Sequence, residues 1–381
     1  MHEQIYLDAA ATTKPNKKVL DVMMPYFYEK WHNPSSLYGD SNSIKRDIER
    51  ARDVIGYFIG AKRNEIFFTS GGSESNCWAI QGFVNECLLN NERPLIITST
   101  IEHKSIMECV LNANANSFYV EVDSEGFIDM GRLEQLLSCV ENANHKTLVS
   151  IQFANNEIGT IQHIKEIAEL AHRYNALFHT DAVQAFGQID INVNDLDIDM
   201  LSASGHKIGA PKGIGFLYKK NGVEIQPLIY GSQMDGMRGG TENVPYIIGM
   251  AKAIELIQED EEYELRTVIL RNNFIAQLKA LGCRINGSLD YRLPNNINVT
   301  FPHNISGESL IYMLDMSGIY VSAGSACNSR SIEPSYTLKA IGMSNEDADK
   351  TIRITIPSDI TMNEIDRTVC EIEKSIKLIE L

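Results

Sequence analysis

A lysine at the end of an apolar stretch is the first residue whose surroundings suggest chemistry. Residues 202–215 read SASGHKIGAPKGIG, so Lys207 lies between one apolar-rich segment and a second, GFLY. Burial at a strand end disfavours the charged ammonium and lowers its pKa. A neutral lysine amine is a nucleophile that forms Schiff bases with carbonyl compounds. The alternative is a surface lysine in a glycine-rich turn, and the rest of the chain has to decide between the two.

A second stretch has the composition of a phosphate site. Residues 68–76, FTSGGSESN, pass from an apolar strand through two glycines into a predicted helix. Glycines let backbone N–H groups approach an anion, the helix N-terminus adds a favourable dipole, and Ser73 adds a hydroxyl. A capped helix start without a ligand would explain the same residues. No Walker motif is present.

Polar residues follow two further apolar strands. His103, in STIEHKSI, lies between a predicted strand and a predicted helix. Its imidazole is either next to a simple helix cap, or it stacks on a flat ligand and moves protons. Asn155 and its neighbours, in FANNEIGTIQ, form either a turn or a ligand site. The sequence does not separate these alternatives.

Asp181 ends the apolar strand ALFHT, and Gln184 follows one helical step later. A buried carboxylate is costly unless it is paired with a donor or a cation. A protonated aromatic nitrogen is such a partner. In chain order, the set now comprises a phosphate site, a stacking His103, Asp181 for a ring nitrogen and Lys207 for a Schiff base. This ordered combination predicts pyridoxal 5′-phosphate (PLP) as the cofactor, because PLP needs a lysine and an acidic partner for its pyridine nitrogen.

Cys327 differs from a core cysteine in its neighbours. It lies in SAGSACNSRSIEPSY, among small and polar residues that predict an exposed loop. Arg330 is close enough in sequence to favour a thiolate. A tolerated loop cysteine is the alternative to a reactive one.

Alternating strands and helices must position these residues. Apolar runs and helical spacing alternate from residue 65 to residue 182, which predicts a mainly parallel, doubly wound α/β sheet with ligands beyond the carboxyl ends of its strands. The predicted strands are 65–70, 94–100, 117–123, 147–154 and 176–182. The predicted helices are 74–89, 103–112, 129–140 and 164–175.

After about residue 256 the regular alternation of strands and helices ends. One long charged helix is predicted over 258–281, followed by short strands at 296–302, 318–322 and 351–357 and a final helix from 362. We expect two domains: a large PLP-binding domain, 13–256, and a small α+β domain formed by 1–12 and 257–381, which carries the segment with Cys327.

Composition excludes several classes of protein. The 381 residues are 44% hydrophobic and 22% charged, as in a globular protein, and no apolar run reaches the ~18 residues of a membrane helix. No signal peptide is visible, and the net charge of −16 argues against direct binding to nucleic acid or anionic membranes. The seven cysteines show neither a zinc spacing nor a disulfide framework, so we expect no metal site and a reducing cytoplasmic location. We also expect the six cysteines other than Cys327 to be small core residues.

Taken together, these motifs resemble the NifS/IscS-type cysteine desulfurases of the class V aminotransferase family. The resemblance runs almost end to end and is most specific in the motifs SAGSAC, SASGHKIGAPKGIG and HTDAVQ. Further matching segments are YLDAAATT (6–13), NPSS (33–36), FTSGGSESN, EHKS, NNEIGT and RGGTENV (238–244). The resemblance implies a homodimer with the fold of the aspartate-aminotransferase relatives.

The resemblance also assigns roles to residues. Lys207 would carry PLP as a Schiff base and then act as the base, His103 would stack on the ring, Asp181 would pair with the ring nitrogen, and Gln184 would contact the ring hydroxyl. The remaining matches would bind the phosphate; they are Gly72, Ser73, Ser204, His206 and Thr241. Of these, Thr241 would reach the phosphate from the other subunit.

For the substrate, the resemblance assigns the cysteine carboxylate to Asn155 and Arg353 and the nucleophile to Cys327. It implies conversion of L-cysteine to L-alanine, with the sulfur left on Cys327 as a persulfide and passed to an acceptor protein. Iron–sulfur clusters, tRNA thiolation and DNA phosphorothioation are the destinations that such enzymes serve, and the sequence does not choose among them.

Some residues depart from the usual family pattern. They are Tyr230, Ser232, Met234, Asp235, Gly239, Asn328, Arg330 and Pro357. By analogy they surround the mouth of the site and the Cys327 segment, which suggests a specialised acceptor protein.

Two other functions compete with this interpretation. A selenocysteine lyase or another PLP-dependent β-eliminase would share the cofactor residues, but Cys327 in a long loop speaks against it. A catalytically quiet docking scaffold would keep only the fold, which the intact Lys207, Asp181 and His103 argue against.

Overall fold

The computed structural model describes residues 4–141, 145–302, 305–323 and 335–379. Its largest feature is a seven-stranded sheet with the strand order β2-β8-β7-β6-β5-β3-β4. These strands are β2 (Ile66–Thr69), β3 (Arg93–Ser99), β4 (Asn116–Val120), β5 (His145–Ser150), β6 (Leu177–Asp181), β7 (Met200–Ser204) and β8 (Gly215–Lys219).

The sheet is mainly parallel, as predicted. Strands β4, β3, β5, β6 and β7 pair in parallel, whereas β8 runs antiparallel to both β7 and β2. Every residue of β2 and β7 is buried, which fits a sheet covered by helices on its faces. Because the carboxyl ends of parallel strands meet at one edge, the segments after β3, β5, β6 and β7 lie together there.

A second set of strands occupies the beginning and the last third of the chain. Strand β10 (Asn296–Thr300) pairs antiparallel with β9 (Arg284–Ile285) and β12 (Thr351–Thr355), and β1 (Ile5–Tyr6) pairs in parallel with β11 (Ile319–Tyr320). These strands contribute to a hydrophobic cluster of their own, which includes Ile5, Phe274 and Ile376 and is distinct from the cluster around the seven-stranded sheet.

Thirteen helices are present in the described part of the chain. The first seven are α1 (Lys17–Met23), α2 (Pro25–Tyr28), α3 (Gly39–Ile59), α4 (Gly72–Leu89), α5 (Lys104–Leu111), α6 (Met130–Glu141) and α7 (Ile164–Arg173). The others are α8 (Val244–Gln258), α9 (Tyr263–Ala280), α10 (Gly307–Met316), α11 (Tyr336–Ala340), α12 (Asn345–Asp349) and α13 (Met362–Ile379).

One predicted helix has the wrong start. The prediction of one helix over 258–281 joined the end of α8 to the whole of α9, and residues 259–262 instead form the connection between them. The acidic run there has helical propensity, but the turn at Asp260 and the change of packing partner end α8. The other helices and strands named above are confirmed within a few residues.

The cysteine prediction is also wrong in part. Cys77 on α4 and Cys109 on α5 form a disulfide, and Cys139 and Cys370 are exposed rather than packed in a core. The pairing arises because α4 and α5 pack side by side with the two Cα atoms 5.7 Å apart, a proximity that sequence spacing does not reveal.

No helix among the described residues is both long and apolar enough to cross a membrane.

Candidate active site

A cavity of about 460 Å³ opens beside the ends of β2 and β7. Its lining is formed by the turn before α4, the segment after β1 and the segment after β7. The lining residues are Ala11, Thr12, Ser70, Gly71, Gly72, Ser73, Glu74, Ser204, His206, Lys212 and Gly213. The cavity therefore contains four of the predicted phosphate ligands, Gly72, Ser73, Ser204 and His206.

The turn before α4 leaves backbone N–H groups available to an anion. Gly71 precedes the helix with φ 153° and ψ −177°, a conformation that only glycine adopts readily, and no side chain caps the helix there. A Cβ atom on Gly71 would point toward Ser204 Oγ, 3.8 Å away, and would occupy the space between the turn and β7. This arrangement suits an anion at the N-terminus of an 18-residue helix.

Lys207 lies in a short 3₁₀ turn, Gly205–Lys207, immediately after β7. Its Nζ donates hydrogen bonds to the backbone carbonyls of Ala10 and, at 3.0 Å, Ala11. Gln184 Nε2 donates to the same Ala10 carbonyl at 3.1 Å. The segment after β1 therefore brings Lys207 and Gln184 together, although neither residue is close to it in sequence.

His206, in the same turn, also contacts the segment after β1. Its Nδ1 lies 3.1 Å from Thr12 Oγ1. Burial, together with the charges of Lys207 and Lys212, lowers the pKa of His206 to about 4. The imidazole is neutral at physiological pH and is available as a hydrogen-bond partner rather than as a cation.

Asp181 ends β6 with both carboxylate oxygens held. Asn76 Nδ2 on α4 donates to Asp181 Oδ2 at 2.7 Å, and the Val183 backbone N–H donates to Oδ1 at 2.9 Å. Asn76 Nδ2 also donates to Ser105 Oγ at 2.9 Å, whereas its buried Oδ1 has no partner among the described residues. The carboxylate is buried, with 6% of Asp181 exposed, and two donors fix its orientation.

His103 is the N-cap of α5 and is half-buried. Its Nδ1 accepts a hydrogen bond from the Ser105 backbone N–H at 3.1 Å and lies 2.8 Å from Ser105 Oγ. Because Asn76 also donates to Ser105 Oγ, this hydroxyl connects His103 to Asp181 through two side chains. His103 therefore caps α5 and connects through Ser105 and Asn76 to Asp181, and its stacking on a flat ligand stays a prediction.

Arg353 is placed on β12 and is buried. Its Nη2 forms an ion pair with Asp8 Oδ1 at 2.7 Å, and its Nη1 donates to the Asn156 carbonyl at 3.1 Å. Asn155, 0% exposed, donates to the Ile101 carbonyl and accepts hydrogen bonds from the N–H groups of Glu157 and Ile158. The turn after β5 thus contacts the guanidinium through the Asn156 carbonyl, and the binding of a substrate carboxylate by Asn155 and Arg353 stays a prediction.

Two buried carboxyl groups lie beside these residues. Burial raises the pKa of Glu102 to about 8, although Ser99 Oγ and the Gln152 N–H both donate to its Oε1. Burial also raises the pKa of Glu157, while the hydrogen bond from Ser335 and the charge of Arg353 act in the opposite direction.

Thr241 is exposed and does not line the cavity. The nearby Arg238 connects the segment that contains Thr241 to the cavity wall. Its Nε donates to Oε1 of Glu74, a lining residue at the start of α4, at 2.9 Å. Cys327, like Asn328 and Arg330, lies outside the described residues.

Sequence reasoning missed two side chains with direct contacts to the site. Asp8 pairs with Arg353 across 345 positions, and Asn76 pairs with Asp181 across 105 positions. Both occur inside segments that had been singled out, YLDAAATT and FTSGGSESN. The only signal for Asp8 and Asn76 in the sequence was a polar residue in an otherwise apolar strand end or helix face. Their partners, Arg353 and Asp181, could not be named without the fold.

The comparisons with known proteins cover nearly the whole chain. The model of the family "Aminotransferase class-V" matches residues 5–368. The chain is 44% identical to "Cysteine desulfurase IscS" of Clostridium botulinum, with 99% of this chain and 95% of that protein covered.

Solved structures resemble the whole chain. A "NifS-like protein" superposes with a TM-score of 0.90 at 36% identity, covering 99% of this chain and 100% of that one. "SspA in complex with cysteine" superposes with a TM-score of 0.78 at 35% identity, covering 93% and 99%. The seven-stranded sheet with its flanking helices is therefore the fold of the PLP-dependent aspartate-aminotransferase-like enzymes, as the sequence predicted.

Proposed function

The chain belongs to the class V aminotransferase family, and from this we infer that it is a PLP-dependent cysteine desulfurase. It converts L-cysteine to L-alanine, and the sulfur passes to an acceptor as persulfide sulfur. The observation that carries this function is the convergence of Lys207, Asp181 and the turn before α4 at one edge of the sheet.

The residues present fit PLP. The space beside Gly71, which a Cβ atom would fill, has uncapped N–H groups of α4 and the hydroxyl of Ser204 around it, as a phosphate requires. Asp181 at the end of β6 and Lys207 just after β7 are not among the lining residues of this cavity but lie at the same edge of the sheet, and these groups match the pyridine nitrogen and the aldehyde. When bound, PLP supplies an electron-withdrawing ring that stabilises negative charge on a substrate carbon.

Each residue has one task toward this cofactor. Lys207 would bind it covalently, and Asp181, whose carboxylate is held by two donors, would accept the ring N–H and favour the protonated nitrogen. His103 would stack on the ring and Gln184 would donate to its hydroxyl. The phosphate is bound by Gly72, Ser73, Ser204 and His206, with Thr241 of the partner subunit completing the set.

Lys207 is also the base for the substrate. Once it is no longer bound covalently, its amine takes the α-proton of cysteine, and the carbonyls of Ala10 and Ala11 orient Nζ for this transfer. His103, which is linked to Asp181 through Ser105 and Asn76, would be a second group for proton transfer.

Arg353 and Asn155 bind the substrate carboxylate. A guanidinium matches a carboxylate with two parallel hydrogen bonds, and Asp8 Oδ1 already accepts from Nη2 of Arg353. Asp8 therefore helps to hold the guanidinium in its buried position.

Cys327 is the nucleophile. Its thiolate forms an S–S bond to the substrate sulfur while the Cβ–S bond of the substrate breaks, and the electron pair of that bond stays on Cβ, which takes up a proton. Return of the α-proton from Lys207 to Cα then gives alanine. The support for this assignment is the motif SAGSAC and the family to which the chain belongs.

We propose the domain division 13–256 and 1–12 with 257–381. The two distinct hydrophobic clusters support it, since Ile5 and Leu7 pack with residues after 270 while Val19 to Ile254 pack around the large sheet.

A homodimer, an acceptor protein and a cytoplasmic location complete the proposal. The dimer is supported by the exposed Thr241 and by large apolar residues exposed near α2, namely Phe27, Tyr28, Trp31 and Leu37. Analytical ultracentrifugation tests the dimer, and cell fractionation tests the location.

The function is tested by product analysis. Purified enzyme incubated with L-cysteine should release L-alanine and retain one sulfur per active site in protein. Pyruvate and ammonia in place of alanine would instead indicate a β-eliminase, and absence of bound PLP would indicate a docking scaffold.

The acceptor is tested separately. Sulfur transfer should run faster to a protein encoded beside this gene than to a general iron–sulfur scaffold, and equal rates would contradict a specialised acceptor. With a net charge of −16, the enzyme should show no tight complex with DNA or tRNA in a low-salt gel shift.

A further inference from the structure

We propose that Cys77 and Cys109 form a reversible redox site, whose disulfide links helices α4 and α5 and strengthens the binding of PLP. The inference rests on the proposed function only in taking PLP as the ligand beside Asp181. Neither cysteine has a task in the chemistry described above, and the sequence predicted both as small core residues. The oxidation state of this pair would then control how firmly the cofactor is held.

The two cysteines lie where a disulfide forms without rearrangement of the backbone. Cys77 is in the first half of α4 and Cys109 in the second half of α5, and their Cα atoms are 5.7 Å apart across a sequence separation of 32. This Cα separation is the one that disulfide-bonded residues normally have. Cys109 is buried, with 8% exposed, whereas Cys77 is half-buried, so we expect a thiol from solution to reach Cys77 first.

The disulfide adjoins the hydrogen bonds that orient Asp181. Asn76, the residue before Cys77, donates from Nδ2 to Asp181 Oδ2 at 2.7 Å and to Ser105 Oγ on α5 at 2.9 Å. Ser105 Oγ lies in turn 2.8 Å from His103 Nδ1. Asn76 therefore serves both of its partners only while α4 and α5 keep their present separation.

A second hydrogen bond joins the same two helices further along α4. Gln81, one turn after Cys77, donates from Nε2 to the Cys109 carbonyl at 3.3 Å. The disulfide thus lies between this contact and the hydrogen bond from Asn76 to Ser105. Of these three links between α4 and α5, the disulfide is the one that a change of oxidation state removes.

The redox step exchanges one disulfide for another. The Cys77 thiolate attacks a sulfur of a small-molecule disulfide such as oxidised glutathione, and one thiolate of that molecule leaves. The Cys109 thiolate then attacks the Cys77 sulfur of the mixed disulfide, and the second thiolate leaves. The cysteine pair loses two electrons and two protons, the small-molecule disulfide is reduced to two thiols, and excess thiol reverses both steps. In a reducing cytoplasm, the location proposed above, protein disulfides are mostly of this reversible kind.

Reduction should loosen α4 against α5 without unfolding either helix. Both helices contribute residues, such as Trp78 and Ile106, to the hydrophobic cluster around the large sheet, and this packing does not depend on the disulfide. Without the covalent link the separation of the helices varies more, so Asn76 faces Asp181 for only part of the time. We therefore expect reduction to weaken PLP binding roughly threefold, less than the roughly tenfold expected for loss of the Asn76 side chain.

The experiment compares one preparation of the holoenzyme after equilibration with oxidised glutathione and after equilibration with a dithiol reductant. Alkylation and peptide mass spectrometry determine whether Cys77 and Cys109 are linked, and equilibrium dialysis with absorbance gives the dissociation constant for PLP. Hydrogen–deuterium exchange of the same samples reports on α4 and α5 whether or not PLP is bound. We expect the oxidised enzyme to show linked peptides, slower exchange in both helices and roughly threefold tighter PLP binding.

Variants at the cysteines assign the effect to this pair. Cys77→Ser and Cys109→Ser form no disulfide, so after either treatment their PLP binding should match that of the reduced wild type. Cys139→Ser is the matched control, because Cys139 is an exposed free cysteine on α6. It should keep the full difference between the two treatments.

Any of three results would overturn the proposal. They are alkylation of both Cys77 and Cys109 after the oxidising treatment, equal PLP affinity of the oxidised and reduced wild type, and a difference in affinity that persists in Cys77→Ser. A protein that binds no PLP after either treatment would instead contradict the proposed function. Slower exchange of α4 and α5 in the linked form of that protein would still support a redox site between the two helices.

Discussion

Asn76 donates a hydrogen bond of 2.7 Å to Asp181 Oδ2 and joins helix α4 to the end of strand β6. The two residues are 105 positions apart, and both are buried. Because α4 begins at the turn proposed to bind the phosphate, this bond links that end of the proposed site to the carboxylate proposed for the pyridine nitrogen.

Removal of this bond should weaken cofactor retention. We expect Asn76→Ala to raise the dissociation constant for PLP roughly tenfold, the loss typical of one hydrogen bond to a charged group. Equilibrium dialysis followed by absorbance measures it. Asn90→Ala, at the exposed far end of the same helix, is the control and should leave PLP binding unchanged. Unaltered binding in Asn76→Ala would show that Asp181 holds its position without this donor.

Lys207 should be the residue that binds PLP covalently. Lys207→Ala should lose the adduct that borohydride reduces and all release of alanine, with the folded structure kept. Lys212→Ala is the control, because Lys212 also lines the cavity but is exposed. Peptide mapping after reduction identifies the lysine, and an adduct in Lys207→Ala would assign the role elsewhere.

Arg353→Lys should separate substrate binding from cofactor binding. The lysine keeps the charge beside Asp8 but loses the planar pair of donors, so we expect KM for cysteine to rise roughly tenfold or more. PLP affinity should change far less. Arg284→Lys, on the exposed strand β9, is the control. Equal losses of cysteine and PLP binding would mark Arg353 as a residue that only maintains the fold.

Glu102 should make stability depend on pH. Burial raises its pKa to about 8 from 4.5, so the folded protein holds a proton that the unfolded chain has lost in this window. The free energy of unfolding contributed by Glu102 is therefore retained below about pH 4.5. It falls as pH rises toward 8, by up to about 1.4 kcal/mol per pH unit.

Glu102→Gln removes this titration and keeps the oxygen that accepts from Ser99 and Gln152. Urea unfolding at pH 5, 6, 7 and 8 should give a variant whose stability relative to the wild type increases with pH. Glu108→Gln, exposed on α5, should show no such trend. Parallel pH profiles for the wild type and Glu102→Gln would mean that Glu102 is charged in the folded state.

The sheet and the strand-end residues were predictable because their signals are local. Apolar runs and helical spacing marked β2 to β6, and parallel strands place Asp181 and Lys207 at one edge whatever the details of packing. The start of α9 was not predictable in the same way, since an acidic run has similar helical propensity on both sides of residues 259–262.

Contacts between distant segments were beyond the sequence. The pairs Asp8–Arg353 and Cys77–Cys109 depend on how strands and helices pack, which residue spacing does not encode. The same holds for Glu157, whose polar neighbours suggested a ligand site, whereas its side chain contacts Ser335. Family resemblance marks such segments as important but assigns no partner.

The central claim is that sulfur from cysteine is transferred to Cys327. Its most direct test is peptide mass spectrometry of the holoenzyme after one turnover with L-cysteine, beside Cys327→Ser treated in the same way. We predict one additional sulfur on the peptide that contains Cys327 in the wild type, and none in Cys327→Ser, which should keep its PLP absorbance and still bind cysteine. Additional sulfur mainly on Cys283 or Cys370, or a persulfide in Cys327→Ser, would contradict the claim.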